Sequence, residues 1–292
     1  MPAETKSPRL LFCIGAQKAG TTWLYKHLDQ YPQVHFHRVK ELQFFTNIRP
    51  TRNDPAKETT PEANLVRVRT RITQAETRLK ANPGRKWLPA RIEVDREIVE
   101  YLKEDRSFVD IVSATAAPGT EVIADMSPEY SLFDAATYAE LAGLAEDVRF
   151  IFLMRDPIER AWSQVRFSSR VNNTEPAEIV KRVLARPDHR FTNEFISRSR
   201  YDLTIAELEK AVPAERIYYG FYETFFQEET IHELTEFMGL PQMEADVNKR
   251  VFGSKPEVID PDFRKLAAEK LAPVYEAMQA KFGAALPESW NS

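Results

Sequence analysis

The stretch Leu10–Trp23 holds residue types suited to gripping an anion. The apolar run Leu10–Ile14 ends at Gly15. Gly15 and Gly20 bracket Lys18, and Thr21 and Thr22 open a stretch with helical spacing. This order reads as strand, glycine loop and helix. Backbone N–H groups in such a loop, with a helix N-terminus behind them, form a site for a phosphate-like group. In a nucleoside-triphosphatase loop the lysine directly follows the second glycine. Here Thr21 stands in that place and Lys18 lies inside the loop. Gln17, Lys18, Ala19, Gly20, Thr21 and Thr22 are the candidate contacts to the anion. Trp23 either stacks on a nucleotide base or packs into the core. A second cluster is Arg155-Asp-Pro-Ile-Glu-Arg-Ala-Trp-Ser163. Arg155 leaves the most apolar strand at the end where ligands collect in open α/β sheets. Asp156 reads as a helix cap, and Arg160 as a surface or salt-bridge residue.

These residues need a sheet to position them. Leu10–Ile14, Val34–Phe36, Val122–Ala124, Val148–Met154 and Arg216–Tyr219 read as strands. Val148–Met154 is nearly all apolar, as strands buried on both faces are. Helices are expected at Thr21–Tyr31, after Asp156-Pro157, and from Asp260-Pro261 to Gly283, with a kink at Pro273. Strands alternating with helices give an α/β class with a central parallel sheet flanked by helices, three layers in all.

The chain has 292 residues, of which 43% are hydrophobic, enough for a full core in one domain over 9–292. Residues 1–8 read as a disordered lead-in. The net charge of −4 argues against a general nucleic-acid binder. One cysteine, Cys13, lies in the first strand and reads as a buried structural thiol. No apolar run is long enough to span a membrane, so a soluble cytoplasmic protein is expected. The five histidines show no metal-ligand spacing, so no metal is expected.

One segment departs from this balance. Between Arg49 and Arg91 there are 11 Lys/Arg against 4 Asp/Glu. Leu65, Val68, Ile72, Ala75 and Leu79 follow helical spacing, with Arg67, Arg71 and Arg78 off that stripe. A basic helical insert at about 49–106 is expected. It is either a solvated surface helix or a mobile lid that meets an anionic acceptor, a carrier protein or a lipid surface.

The loop around Lys18 and the R-D-P-x-x-R-x-x-S spacing together resemble the 5′-phosphosulfate loop and the 3′-phosphate motif of the sulfotransferases. The resemblance implies a P-loop-like fold and 3′-phosphoadenosine 5′-phosphosulfate (PAPS) as co-substrate. It also implies Arg155 and Ser163 on the 3′-phosphate and Lys18 on the bridging oxygen. Gln17 stands where many members carry proline. Lys40-Glu-Leu-Gln-Phe-Phe45 is similar to the family's K-E-x-x-F-F element, which makes Glu41 the general base, with His35 or His37 as competing choices. This places the chain nearer the bacterial and carbohydrate types than the cytosolic phenol type. Ile123–Tyr130 resembles the E-K-(S/T)-P-x-Y segment, but Met126 replaces the lysine. Lys40 or Lys255 then supplies a second cation, and Asp125 caps the strand, binds the acceptor or orients a lysine. Tyr201 matches a segment near the nucleotide, where it binds or packs.

The expected reaction moves a sulfuryl group to a hydroxyl or amine. The acceptor is a small molecule, a glycan, a lipid or a carrier-bound group. Phe36, Phe44, Phe45, Tyr130, Phe133 and Phe167 either line its cleft or belong to the core. Two other readings stay open: a nucleotide-binding module without turnover, which Met126 favours, and a P-loop kinase. The kinase needs a lysine at Thr21 and a metal-holding acid at the strand end now occupied by Arg155.

Overall fold

The computed structural model describes residues 7–243 and 258–291. Five strands form one sheet: β1 (Arg9–Gly15), β2 (Val34–Phe36), β3 (Val122–Asp125), β4 (Val148–Met154) and β5 (Ile217–Phe221). Their order is β2-β3-β1-β4-β5, and every neighbouring pair is parallel. β1 and β4 sit at the centre and are buried along almost their whole length, which explains their unbroken apolar sequence.

Helices fill the connections. They are α1 (Thr21–Leu28), α2 (Phe44–Ile48), α3 (Pro61–Ala81), α4 (Leu88–Lys103), α5 (Phe108–Ser113), α6 (Ala135–Ala142), α7 (Pro157–Asn172) and α8 (Pro176–Ala185). The series continues with α9 (Arg190–Ile196), α10 (Tyr201–Ala211), α11 (Glu228–Met238) and α12 (Pro261–Phe282). The expected strands are all present, and the helix after Asp156 starts with that side chain accepting from the Glu159 N–H at 2.8 Å. The last helix runs through Pro273 without ending there.

An all-parallel sheet places every strand's C-terminal end along one edge. The chain leaves β1 toward β2 on one side and later returns to add β4 on the other. That change of direction opens a crevice at the C-terminal edge. Gly15–Gly20 follows β1, Lys40 and Glu41 follow β2, Asp125 ends β3, Arg155 follows β4, and Tyr222 follows β5.

The basic insert is the helix pair α3–α4. Val68 and Ala75 are buried, and Leu65, Ile72 and Leu79 pack beside them, as the spacing predicts. The arginines differ from expectation. Arg71 donates to Asp95 Oδ2 at 2.8 Å and to Asn47 Oδ1 at 3.0 Å. Arg67 donates to Asn64 Oδ1 at 2.9 Å and to the Glu58 carbonyl at 2.7 Å. Only Arg78 of the three has no partner among the described residues. The reason is Asp95: it is fully buried on α4 and holds both Arg71 and Arg91. Arg91 in turn donates to the Glu41 carbonyl at 2.7 Å and the Leu42 carbonyl at 3.1 Å. The pair is therefore docked onto the loop that carries Glu41.

Arg160 is a second correction. It is not a surface residue but completely buried, donating to Ser199 Oγ and the Phe195 carbonyl. Its position on the inner face of α7, one turn before Ser163, sends it toward the segment leading into α10.

Removing one member of a buried ion cluster leaves the rest uncompensated, which costs about 3–5 kcal/mol. Asp95→Ala should lower unfolding stability in urea by roughly that amount. It should also speed amide exchange in Lys40–Gln43, which Arg91 would no longer hold. Unchanged exchange there would mean that the cluster does not anchor the loop.

Candidate functional site

The glycine loop needs its glycines. Gly20 has φ +92°, and a Cβ there would meet the Tyr222 ring at 3.2 Å. Gly15 has φ +146°, and a Cβ would fall 3.1 Å from Ser131 Cβ and 3.2 Å from the Pro128 carbonyl. Lys18 itself has φ +74°, a left-handed turn that swings its side chain out of the loop. Gly20 begins α1 without a side-chain cap, so the first helical N–H groups remain open to an anion. Gln17 is half-buried, with its amide oxygen unpartnered, and Ala19 is buried.

The positive charge at this loop is dense. Burial pushes the Lys18 ammonium down to about 8, and the charges of Arg170, Arg155, Lys40 and Arg160 push it the same way. The Lys18 ammonium rests over the Phe167 ring at 4.5 Å. Lys40 reaches the same place from the other side. Its ammonium donates to Thr21 Oγ1 at 3.3 Å, Thr22 Oγ1 at 3.1 Å and Glu41 Oε1 at 3.2 Å. One cation thus touches both the helix start and the proposed base. Gln43 Nε2 donates to the other Glu41 oxygen at 3.2 Å.

The histidine alternatives are engaged elsewhere. His35 contacts Thr115 Oγ1 at 3.0 Å. His37 is buried 3.4 Å from Glu97, and burial with Arg38, His35 and Arg91 nearby pushes it down to about 4. It is neutral near pH 7, so its contact with Glu97 is no ion pair. Glu41 keeps a half-exposed side chain facing a cavity.

Asp125 makes no contact with a lysine among the described residues. It is buried and accepts from Ser127 Oγ at 2.6 Å, Tyr130 OH at 2.8 Å and the Leu42 N–H at 3.2 Å. Burial raises its carboxyl to about 6, against the pull of those three donors. Met126 is also fully buried and replaced by no cation at its own position. Of the two substitutes expected, Lys40 stands in the site, and Lys255 lies outside the described residues.

At the other end of the loop, Arg155 lies over the Tyr222 ring at 5.0 Å and pairs with Glu159 at 3.2 Å. It borders a cavity of about 490 Å³ shared with Tyr222, Phe226 and Arg264. Ser163 sits one turn beyond Glu159 on α7, nearly buried and outside that lining. Tyr201 is completely buried and spends its hydroxyl on the Arg155 carbonyl at 2.8 Å, so it positions Arg155. Trp23 is buried, stacked on His27 and met edge-on by Phe225 and Phe226. Phe44, Phe45, Tyr130 and Phe133 are core; Phe167 is exposed at the loop. Sequence reasoning missed Tyr222, Phe226 and Arg170. The aromatic run after β5 was the available signal for the first two.

Among the described residues, no cluster of acids, histidines or cysteine has metal-ligand geometry, and no helix is long and apolar enough to cross a membrane.

Comparison with known proteins agrees with this geometry. A family model described as the sulfotransferase family matches residues 8–245. A search of curated proteins finds no match. Among solved structures, a sulfotransferase from Alicyclobacillus acidocaldarius is similar, with TM-score 0.63 and 17% identity, covering 99% of this chain and 100% of that one. The sulfotransferase domain of the Synechococcus PCC 7002 olefin synthase is also similar, with TM-score 0.53 and 19% identity, covering 98% and 99%. At such identities the likeness concerns the fold.

Lys18 offers a direct test of the electrostatics. Below about pH 8 its amine is protonated, and above that it becomes a nucleophile. Competitive acetylation followed by peptide mass analysis should give a reactivity midpoint near pH 8 for Lys18. Added pyrophosphate should move the midpoint upward by pairing with the ammonium. A midpoint above pH 10 would contradict the burial and crowding described above.

Proposed function

The chain belongs to the sulfotransferase family, and we propose that it moves a sulfuryl group from PAPS to an acceptor hydroxyl or amine by in-line displacement. The observation that carries this reading is Lys40, whose ammonium bridges Thr21, Thr22 and Glu41. A cation there joins the place for a donor phosphosulfate to the place for an acceptor proton.

In this mechanism the N–H groups of Gln17, Lys18, Gly20, Thr21 and Thr22, with the Thr21 and Thr22 hydroxyls, hold the 5′-phosphate, while the Ala19 N–H closes the loop on the Ala16 carbonyl at 3.1 Å. Arg155 and Ser163 hold the 3′-phosphate, with Arg155 kept in place by Tyr201 behind it. Trp23, with Tyr222 and Phe226, borders the adenine. The acceptor oxygen or nitrogen attacks sulfur as Glu41 takes its proton. The bond from sulfur to the bridging oxygen breaks, and the electron pair stays on that oxygen. Lys18 and Lys40 neutralise the charge that develops there, where fixed cations act most strongly. Every group needed is a side chain or a backbone amide, so the residues fit the substrate without a metal. The burial of His37 and its turn toward Glu97 support Glu41 as the base.

Calorimetry with 3′-phosphoadenosine 5′-phosphate, ADP and AMP tests the donor. The bisphosphate should bind most tightly, and Arg155→Ala should erase that preference, since a charge-assisted bond to phosphate is lost. Equal affinity for ADP in the parent protein would overturn the assignment. Glu41→Gln should lower kcat on the order of 10²–10⁴-fold while bisphosphate affinity holds. The readout is sulfated product by mass spectrometry, and near-normal turnover would move the base elsewhere.

A further inference from the structure

A cavity of about 500 Å³ opens beside Glu41, between the Arg38–Gln43 loop and the helix pair α3–α4. That volume suits one small organic molecule. Its walls are mixed in a particular way. Val39, Ala75 and Leu88 give it an apolar lining, and Trp87 stands at its rim with 57% of its surface exposed. An indole left in water at the mouth of an apolar cavity is the largest exposed aromatic surface among the described residues.

The charges around this lining are not equivalent. Arg71 and Arg91 are held by buried Asp95, one carboxylate shared by two guanidiniums, and Arg38 pairs with Glu97 at 2.6 Å. Arg78 borders the cavity, is exposed, and has no partner among the described residues. It lies two turns along α3 from Arg71, roughly 10 Å further from the Glu41 end at the helical rise. Among the described residues that line the cavity, Glu41 is the only acid. A ligand spanning this space meets a base at one end, apolar walls and an indole along its body, and an uncompensated guanidinium at the other end.

We propose that the acceptor is an anionic amphiphile: a hydroxyl or amine at one end of an apolar body, and a carboxylate or phosphate at the far end paired with Arg78. This rests on Glu41 being the base of the proposed reaction. A neutral sugar would leave the walls and Trp87 against polar groups. A cationic acceptor would meet Arg78 and Arg38 with like charge. An apolar alcohol would fill the walls and leave Arg78 unused. The anionic amphiphile alone matches all three parts of the lining.

Trp87 supplies the readout. The chain has four tryptophans, and Trp23, Trp162 and Trp290 are buried, so a ligand in this cavity changes the emission of Trp87 in particular. Three probes of equal chain length separate the alternatives: ω-hydroxydecanoate, its methyl ester and the corresponding ω-amino alcohol, each below its micelle concentration. The carboxylate should blue-shift the emission and bind about fivefold tighter than the ester, the size of one ion pair at an exposed rim. The amino alcohol should bind more weakly than the carboxylate, because in either orientation it brings no anion to Arg78. Arg78→Gln should bring carboxylate and ester to equal affinity, and Arg78→Glu should reverse their order. Trp87→Phe should abolish the shift. Either charge variant keeping the parent's preference, or a parent that binds ester and carboxylate alike, would overturn the proposal. Bisphosphate calorimetry run on the same samples reports on the donor reading separately. Loss of that binding with the carboxylate preference intact would overturn the donor assignment and leave the cavity's ligand class standing.

Discussion

Like charges crowded at one edge of a sheet are the constraint on which this site depends. Lys18, Lys40, Arg155 and Arg170 converge there with the open end of α1, and the Lys18 ammonium is pushed down to about 8, by burial first and by these neighbouring charges second. Nothing in the fold itself requires so many cations together, because a sheet edge can be closed with apolar or neutral side chains. The arrangement becomes favourable when a polyanion enters, since each cation then gains a partner instead of a rival. The surrounding structure is consistent with that economy. Tyr201 fixes Arg155 through its carbonyl, Glu159 gives it an exposed partner, and Phe167 and Tyr222 offer ring faces to the two cations.

The helix pair α3–α4 shows how an inserted segment can be structural and still serve the site. Two of its arginines are bound inward by Asp95, and Arg91 continues from that acid to the carbonyls of Glu41 and Leu42. A run of positive charge read along the chain therefore divides in space. Arg67 and Arg91 hold backbone carbonyls, Arg71 holds the side chains of Asp95 and Asn47, and Arg78 borders the cavity with no partner among the described residues.

The sheet was legible in the sequence because each strand carries its own evidence: β4 is apolar throughout, and β1 ends in a glycine loop that no helix or strand would tolerate. The order of motifs after successive strands also sufficed to bring Lys18, Glu41 and Arg155 to one edge, because parallel strands share a direction. What spacing could not reveal were partners distant along the chain. Arg160 reads as a surface residue until Ser199 and the Phe195 carbonyl arrive from residues some way downstream. Asp125 looks like a site acid until Leu42, Ser127 and Tyr130 close on it. Lys40 carries no signal of its bridge to Thr21 and Thr22, since that contact exists only once α1 and the β2 loop meet.

These distant partners share one task. Glu41 has a half-exposed side chain, as the proposed base must have in order to reach an acceptor, so its positioning has to come from the main chain. The Gln43 carbonyl accepts locally, from Thr46 Oγ1 at 2.9 Å and Asn47 Nδ2 at 2.6 Å, but four other backbone groups of Glu41–Gln43 are held by side chains distant along the chain. The Glu41 and Leu42 carbonyls accept from Arg91, the Leu42 N–H donates to Asp125, and the Gln43 N–H donates to Ser127 Oγ at 3.0 Å. Gln43 adopts φ +55°, a left-handed turn that lets the loop present its side chain back to Glu41 Oε2. One anchor comes from the inserted helices and the other from the end of β3, on opposite sides of the loop. Buried Asp95 and Asp125 thus act from behind the loop, Asp95 through Arg91 and Asp125 through the Leu42 N–H, and they decide where the carboxylate of Glu41 can be.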